Sequence, residues 1–135
     1  MACLSLSVFV GCVDNSVKYV DGQFIGKSQT ISLDEQGTEK FYGIIELYIT
    51  NGKVDTCVYN ICESDGTLVG EMTVGKYAPS TRDKVVKALR ASKTYASNFV
   101  KHQGLGGWDK ISDDPFAYEL FKGAFDDASK DAVAK

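Results

Sequence analysis

The chain has 135 residues, the length of one domain that buries about two thirds of its unfolded-chain surface, so a second independent core is excluded. With 44% hydrophobic and 24% charged residues it is not a largely disordered chain. Lys and Arg total 15 against 18 Asp and Glu, for a net charge of -3, and only Arg82 and Arg90 can grip a phosphate with two nitrogens. General nucleic-acid binding therefore lacks the cationic footprint it rests on.

No apolar run reaches the roughly 18 residues of a membrane-spanning helix. Residues 1–12 carry no charge and stop being apolar at Val13-Asp14-Asn15, a pattern that resembles the apolar region of a secretory leader. The end of this stretch, Val8-Phe9-Val10-Gly11-Cys12, is similar to a bacterial lipobox, in which small residues precede a cysteine that is diacylated. It departs from one in having Phe9 where Leu is usual and no basic residues upstream. Read as a leader, residues 1–12 are a lipoprotein signal segment. Cys12 is then the lipidated residue, and the chain is tethered to the extracytoplasmic face of the cell membrane. The alternative is a buried first strand over Leu4–Val10.

Beyond the leader the sequence predicts strands first. Val17–Ile25 reads as a strand interrupted at Asp21-Gly22, and the polar stretch Gly26–Lys40 as a loop or a short irregular strand. Phe41–Thr50 and Val54–Cys62 flank Asn51-Gly52, the strongest short-range hairpin signal. Asp65-Gly66 turns the chain into a further strand, Thr67–Val74, completing an antiparallel meander. Cys57 and Cys62 lie five apart in one strand, hence on opposite faces and about 16 Å apart, too far for a disulfide. The four cysteines and the single His102 lack the spacing of a zinc site.

After Pro79 the hydrophobic period becomes helical. Val85, Val86, Ala88, Leu89, Ser92, Tyr95, Ala96, Phe99 and Val100 mark one helix, with Ser80 or Thr81 as its N-cap and Gly104, Gly106 and Gly107 as its stop. His102 falls at its C-terminal end, where an imidazolium favours the dipole, and Trp108 is expected to pack over the glycine turn. Asp114-Pro115 announces a second helix with the apolar face Phe116, Leu120, Phe121, Ala124, Phe125 and Ala128. Ser129–Lys135 is expected to be a flexible tail. The fold class is thus α+β: an antiparallel sheet meander with two C-terminal helices packed on one face.

Catalytic constellations are missing. There is no Ser-His-Asp set at a recognisable spacing, no phosphate-cradling glycine motif, and the acids Asp109, Asp113 and Asp114 do not have EF-hand intervals. This favours a carrier or binding domain over a stand-alone catalyst.

The order of segments is specific. Tyr19-Val20-Asp21-Gly22-Gln23-Phe24-Ile25-Gly26, Asp34-Glu35-Gln36-Gly37, Tyr42-Gly43-Ile44-Ile45-Glu46-Leu47-Tyr48-Ile49-Thr50-Asn51-Gly52-Lys53-Val54 and Glu63-Ser64-Asp65-Gly66 follow one another, ahead of Trp108–Phe121 with its Ser112 and a helix carrying Tyr and Phe. This succession resembles the extracytoplasmic FMN-binding domain family, many of whose members are small lipoproteins. The resemblance places such a domain at residues 16–128. It implies an FMN-dependent electron carrier or redox subunit, partnered by the membrane through its lipid anchor and by a redox protein. Tyr42, Gly43, Ser112, Phe116 and Tyr118 become the cofactor-binding candidates, since aromatics can stack on an isoalloxazine ring and a helix start can hold its phosphate.

The resemblance also implies a threonine joined covalently to the flavin. Here Ser112 matches the motif serine, but Asp113, Asp114 and Pro115 stand where glycine, alanine and threonine are usual. Proline has no hydroxyl, so FMN would be non-covalent, and two carboxylates at the helix start would repel its phosphate. The alternative is a flavin-free relative that acts as a cell-surface binding or interaction module.

Overall fold

The computed structural model describes residues 18–134. Within them lie β1 (Gly22–Lys27), β2 (Ile31–Ser32), β3 (Lys40–Thr50), β4 (Lys53–Glu63), α1 (Pro79–His102) and α2 (Ala117–Ala132). The expectations for Cys12 and for Leu4–Val10 lie outside the described residues. The class is α+β, an antiparallel sheet of four strands followed by two helices.

Strand β3 organises the sheet. One of its edges pairs with β4, and the other pairs with β1 and, further along, with β2. The alternation along β3 is regular: Phe41, Gly43, Ile45, Leu47 and Ile49 are buried, while Tyr42, Ile44, Glu46 and Tyr48 face the other way. The β3–β4 turn takes Asn51 at φ 54° and Gly52 at φ 76°, the left-handed pair that a type I′ hairpin needs. The Asp21 carboxylate accepts both of its amides, from Asn51 at 3.1 Å and Gly52 at 2.7 Å.

Both helices cover the buried face, α1 against β4 and α2 against β1 and β3. Helix α1 presents Val85, Ala88, Ser92, Tyr95 and Phe99 as its buried stripe, and α2 presents Leu120, Phe121, Ala124, Ala128 and Ala132. Two glycines allow α2 to approach the sheet closely. A Cβ on Gly26 would lie 2.8 Å from Ala128 Cβ and collide with the Ala124 carbonyl and the Ala128 amide, and one on Gly43 would stand 3.0 Å from Leu120 Cβ. At the centre Phe121 packs edge-on against Tyr59, 4.8 Å between centroids, and against Phe99 at 5.7 Å. Truncating it to alanine would cost about 3–5 kcal/mol.

The structure corrects several sequence expectations. Of the strand expected over Val17–Ile25, Val17 lies outside the described residues, and from Lys18 on the strand forms only at Gly22, running to Lys27, because Tyr19 bridges to Val133 instead. Thr67–Val74 does not form a strand. Leu68 makes one bridge to Cys62, after which a turn at Gly70, closed by the Thr73 hydroxyl, leads into a 3-10 turn at Val74–Lys76. Neither Ser80 nor Thr81 caps α1. Pro79 occupies its first turn, Ala78 precedes it without a side-chain cap, and Glu39 Oε2 accepts the Ala78 amide at 3.0 Å. At the other end Gln103, not a glycine, takes the left-handed position (φ 59°), and its side chain bonds the Val54 amide and carbonyl. Trp108 does close this turn, donating to the Gly104 carbonyl at 2.9 Å. The described part of the expected tail, Ser129 to Ala134, packs on the domain: α2 runs to Ala132, which is fully buried, Val20 donates to its carbonyl at 2.8 Å, and the Ala134 amide donates to the Lys18 carbonyl at 2.7 Å. Cys57 and Cys62 are free thiols on opposite faces of β4, paired with Leu47 and Tyr42 respectively.

Candidate functional site

The start of α2 is where the sequence expects a phosphate. Regular helix begins at Ala117 with Phe116 as its N-cap residue, so Pro115 lies outside the helix rather than in its first turn, and the Asp114 carboxylate folds back over the helix start from two residues ahead of the cap. Asp114 is 3% exposed. Its Oδ1 accepts the Phe116 amide at 3.1 Å and the Ala117 amide at 2.7 Å, while Oδ2 accepts the Tyr118 amide at 2.8 Å and the Tyr95 hydroxyl at 2.6 Å. Tyr95 oxygen in turn accepts the Ile111 amide at 2.8 Å. Burial and the bond to Asp114 push the Tyr95 phenol well above its usual pKa. A buried carboxylate thus already occupies the donors that would hold an anionic ligand, and Pro115 contributes none. This donor set does not fit a phosphate.

The five cofactor-binding candidates do not line one cavity. Ser112 is exposed on the turn before α2. Phe116 is buried beside Phe41, 6.5 Å between centroids, and Tyr118 is half-buried against Tyr95 at 5.5 Å and Trp108 at 5.6 Å. Gly43 lies beneath Leu120. Tyr42, its neighbour in β3, points to the opposite side of the sheet, with the Lys27 ammonium 5.9 Å from its ring centroid. Only Gly43, Phe116 and Tyr118 share the helix side.

Among the described residues, clefts open at the surface in two places that bear on function. One, of about 540 Å³, runs between the β1–β2 link and α2; Lys27, Lys130, Glu119, Asp126 and Asp127 contribute to its lining, which has no aromatic side chain. The other, of about 260 Å³, lies where the start of β3 meets the end of β4. There Glu63 accepts from Lys76 Nζ at 2.6 Å and from the Tyr77 hydroxyl at 2.6 Å, and these two partners hold its carboxyl below the usual range. Glu39 Oε1 is buried beside it with no hydrogen-bond partner. Of the cleft's charges Glu63 and Lys76 are paired with each other, and neither cleft joins a nucleophile to a base. Among the described residues no group of three or more His, Cys, Asp or Glu side chains could hold a metal ion, and no helix is long and apolar enough to cross a membrane.

The third feature is the sheet face that the helices leave bare. Strand register sets its side chains in cross-strand rows: Gln23–Tyr48–Thr56, Ile25–Glu46–Val58, Lys27–Ile44–Asn60 and Tyr42–Cys62–Leu68. Ile25 is 53% exposed, Leu68 59%, and Tyr48 and Val58 37% each. An antiparallel sheet with one face in water ordinarily alternates apolar-in and polar-out. Here the outward positions mix three β-branched aliphatics and two tyrosines with Gln23, Thr56, Asn60, Lys27 and Glu46, so the bare face is far richer in apolar side chains than that pattern calls for. Lys27 and Glu46 are the only charged side chains in these rows. The sequence marks Tyr42 as a cofactor-binding candidate and Cys62 as a thiol, and none of these residues as part of one surface. The available signal was the unbroken run Tyr42–Thr50, which has too few polar residues for a strand with one wet face. Comparison with protein-family models, with curated proteins and with solved structures finds no match.

Proposed function

We propose that this chain is a flavin-free interaction module that binds another folded protein through the bare face of its sheet, tethered at the extracytoplasmic side of the membrane by an acylated Cys12. The observation that carries the reading is the exposure of Ile25, Tyr48, Val58 and Leu68 on one sheet face, grouped with Ile44 and Tyr42 around the Glu46 carboxylate, which accepts from the Tyr48 hydroxyl at 3.0 Å. Exposed apolar patches of this kind mark association surfaces. The alternative, an FMN-dependent electron carrier, needs phosphate donors and stacking aromatics around one cavity. Asp114 takes the donors of α2, and Tyr42 lies across the sheet from Phe116 and Tyr118.

The test is photo-crosslinking in cells that make the chain, with a photoreactive phenylalanine placed at Val58 or, as control, at the exposed Lys93 of α1. Adducts from position 58 and none from position 93 are expected. No adduct at 58 overturns the proposal. So would saturable FMN binding to the purified protein, read as flavin fluorescence quenching or a rise in melting temperature, because a ligand that binds the native state must stabilise it.

A further inference from the structure

The same face carries information about what covers it. Its two charges lie on one diagonal of a four-residue block: Ile25 pairs with Glu46 and Lys27 pairs with Ile44 in the β1–β3 register. Neighbouring strands are about 4.8 Å apart, and every second residue along a strand about 6.7 Å, so Lys27 and Glu46 occupy opposite corners and Ile25 and Ile44 the other two. A two-fold axis lying close along the Ile25–Ile44 diagonal exchanges the Lys27 corner with the Glu46 corner. Two copies stacked about that axis set each Lys27 against the other copy's Glu46, twice over, while Ile25 and Ile44 meet their own counterparts on the axis. Packed sheets sit about 10 Å apart, a gap that a lysine and a glutamate side chain together span. The strands of the two copies then cross steeply, close to the orthogonal class of sheet packing. An axis along the other diagonal sets like charges against each other, and axes parallel or perpendicular to the strands set each charge against an isoleucine.

We propose that the occupant of the bare face is a second copy of this chain, docked about that two-fold axis with reciprocal Lys27–Glu46 ion pairs. This rests on the reading of the face as a binding surface. The paired surface centres on the Ile25–Glu46–Ile44–Lys27 block, at the small end of specific interfaces, so the dimer is weak.

The experiment is sedimentation velocity over a concentration series on the wild-type chain, Lys27→Glu, Glu46→Lys, Val58→Ser and an equimolar mixture of the two charge variants. All these side chains are outward-facing, and unfolding curves check that each variant keeps its fold. Reversible dimerisation of wild type is expected. Each charge variant places like charges face to face at both contacts and should weaken it at least about tenfold. The mixture should dimerise again, because the Lys27→Glu chain, acidic at both corners, then meets a Glu46→Lys chain that is basic at both. A dimer insensitive to both charge variants but lost in Val58→Ser overturns this register and leaves the face as the binding surface. A wild-type chain that stays monomeric overturns self-pairing. Crosslinks from position 58 to a different protein would then keep the broader reading, and their absence would remove it too.

Discussion

Replacing Gly26 by alanine should be among the most damaging single-methyl additions in this protein. The residue sits in β1 directly under α2, and a Cβ there would collide with the Ala124 carbonyl and the Ala128 amide and stand 2.8 Å from Ala128 Cβ. Two of those atoms are helix backbone, so no rotamer change relieves the overlap; α2 must lift from the sheet. Overpacking in a close-packed core typically costs 1–3 kcal/mol where side chains can adjust, which puts this site at about 3 kcal/mol or more. For a domain of this length 1 kcal/mol moves the melting temperature by about 3–5 °C, so Gly26→Ala should melt roughly 10 °C or more below wild type. Circular dichroism at helical wavelengths measures it, with Gly70→Ala as the matched control. Gly70 has no atom within 4 Å of its added Cβ and an ordinary backbone conformation, so that methyl should leave stability unchanged or slightly raised. A Gly26→Ala protein that melts within about 2 °C of wild type would refute the close-approach argument, since the threshold is well under the loss worked out above.

Asp114→Ala removes the acceptor for three amides and the Tyr95 hydroxyl at a buried helix start, and should cost about 2–4 kcal/mol in denaturant unfolding; Tyr95→Phe should cost about 1–2 kcal/mol, and the double variant less than the sum. Asp34, which accepts from the Thr38 hydroxyl and from the Thr38 and Glu39 amides, has its carboxyl lowered from 3.8 to about 2. A depressed folded-state pKa contributes stability that is present above the unfolded value and is lost as pH falls through the folded one, so Asp34→Asn should flatten the stability profile between about pH 4 and 2. Burial pushes the Cys57 thiol up to about 12, so in native protein at pH 8 an aromatic disulfide reagent should leave it unmodified and react only as the chain unfolds. Prompt native-state labelling of Cys57 would contradict its placement on the covered face.

The fold was legible wherever one local rule acted alone. Asn51-Gly52 specifies its own turn, and the helical spacing from Val85 to Val100 fixes which side of α1 is covered. Elements decided by distant partners were not legible. Ser80 and Thr81 satisfy every local requirement of a cap, yet Glu39, far away in the chain, takes the Ala78 amide. The residues from Ser129 to Ala134 look like a fraying end because their ordering depends on Lys18, Tyr19 and Val20. Asp114 does supply the helix-opening carboxylate, but from two residues ahead of the N-cap Phe116 and with Pro115 outside the helix, and the filling of its donor set depends on Tyr95 from the other helix. The bare face was hidden for a related reason: that β3 carries apolar side chains on its uncovered side is visible only once it is known which side the helices cover.

The pairing of Tyr19 with Val133 has a topological consequence. Lys18 and Ala134 leave the domain at the same corner, joined by a hydrogen bond of 2.7 Å. Over the described residues 18–134 the backbone is therefore almost a closed ring. Residues 18 and 134 could be joined by a short linker and this part of the chain reopened at the Glu71–Met72 turn, where Met72 is 97% exposed, leaving the same architecture in a different reading order.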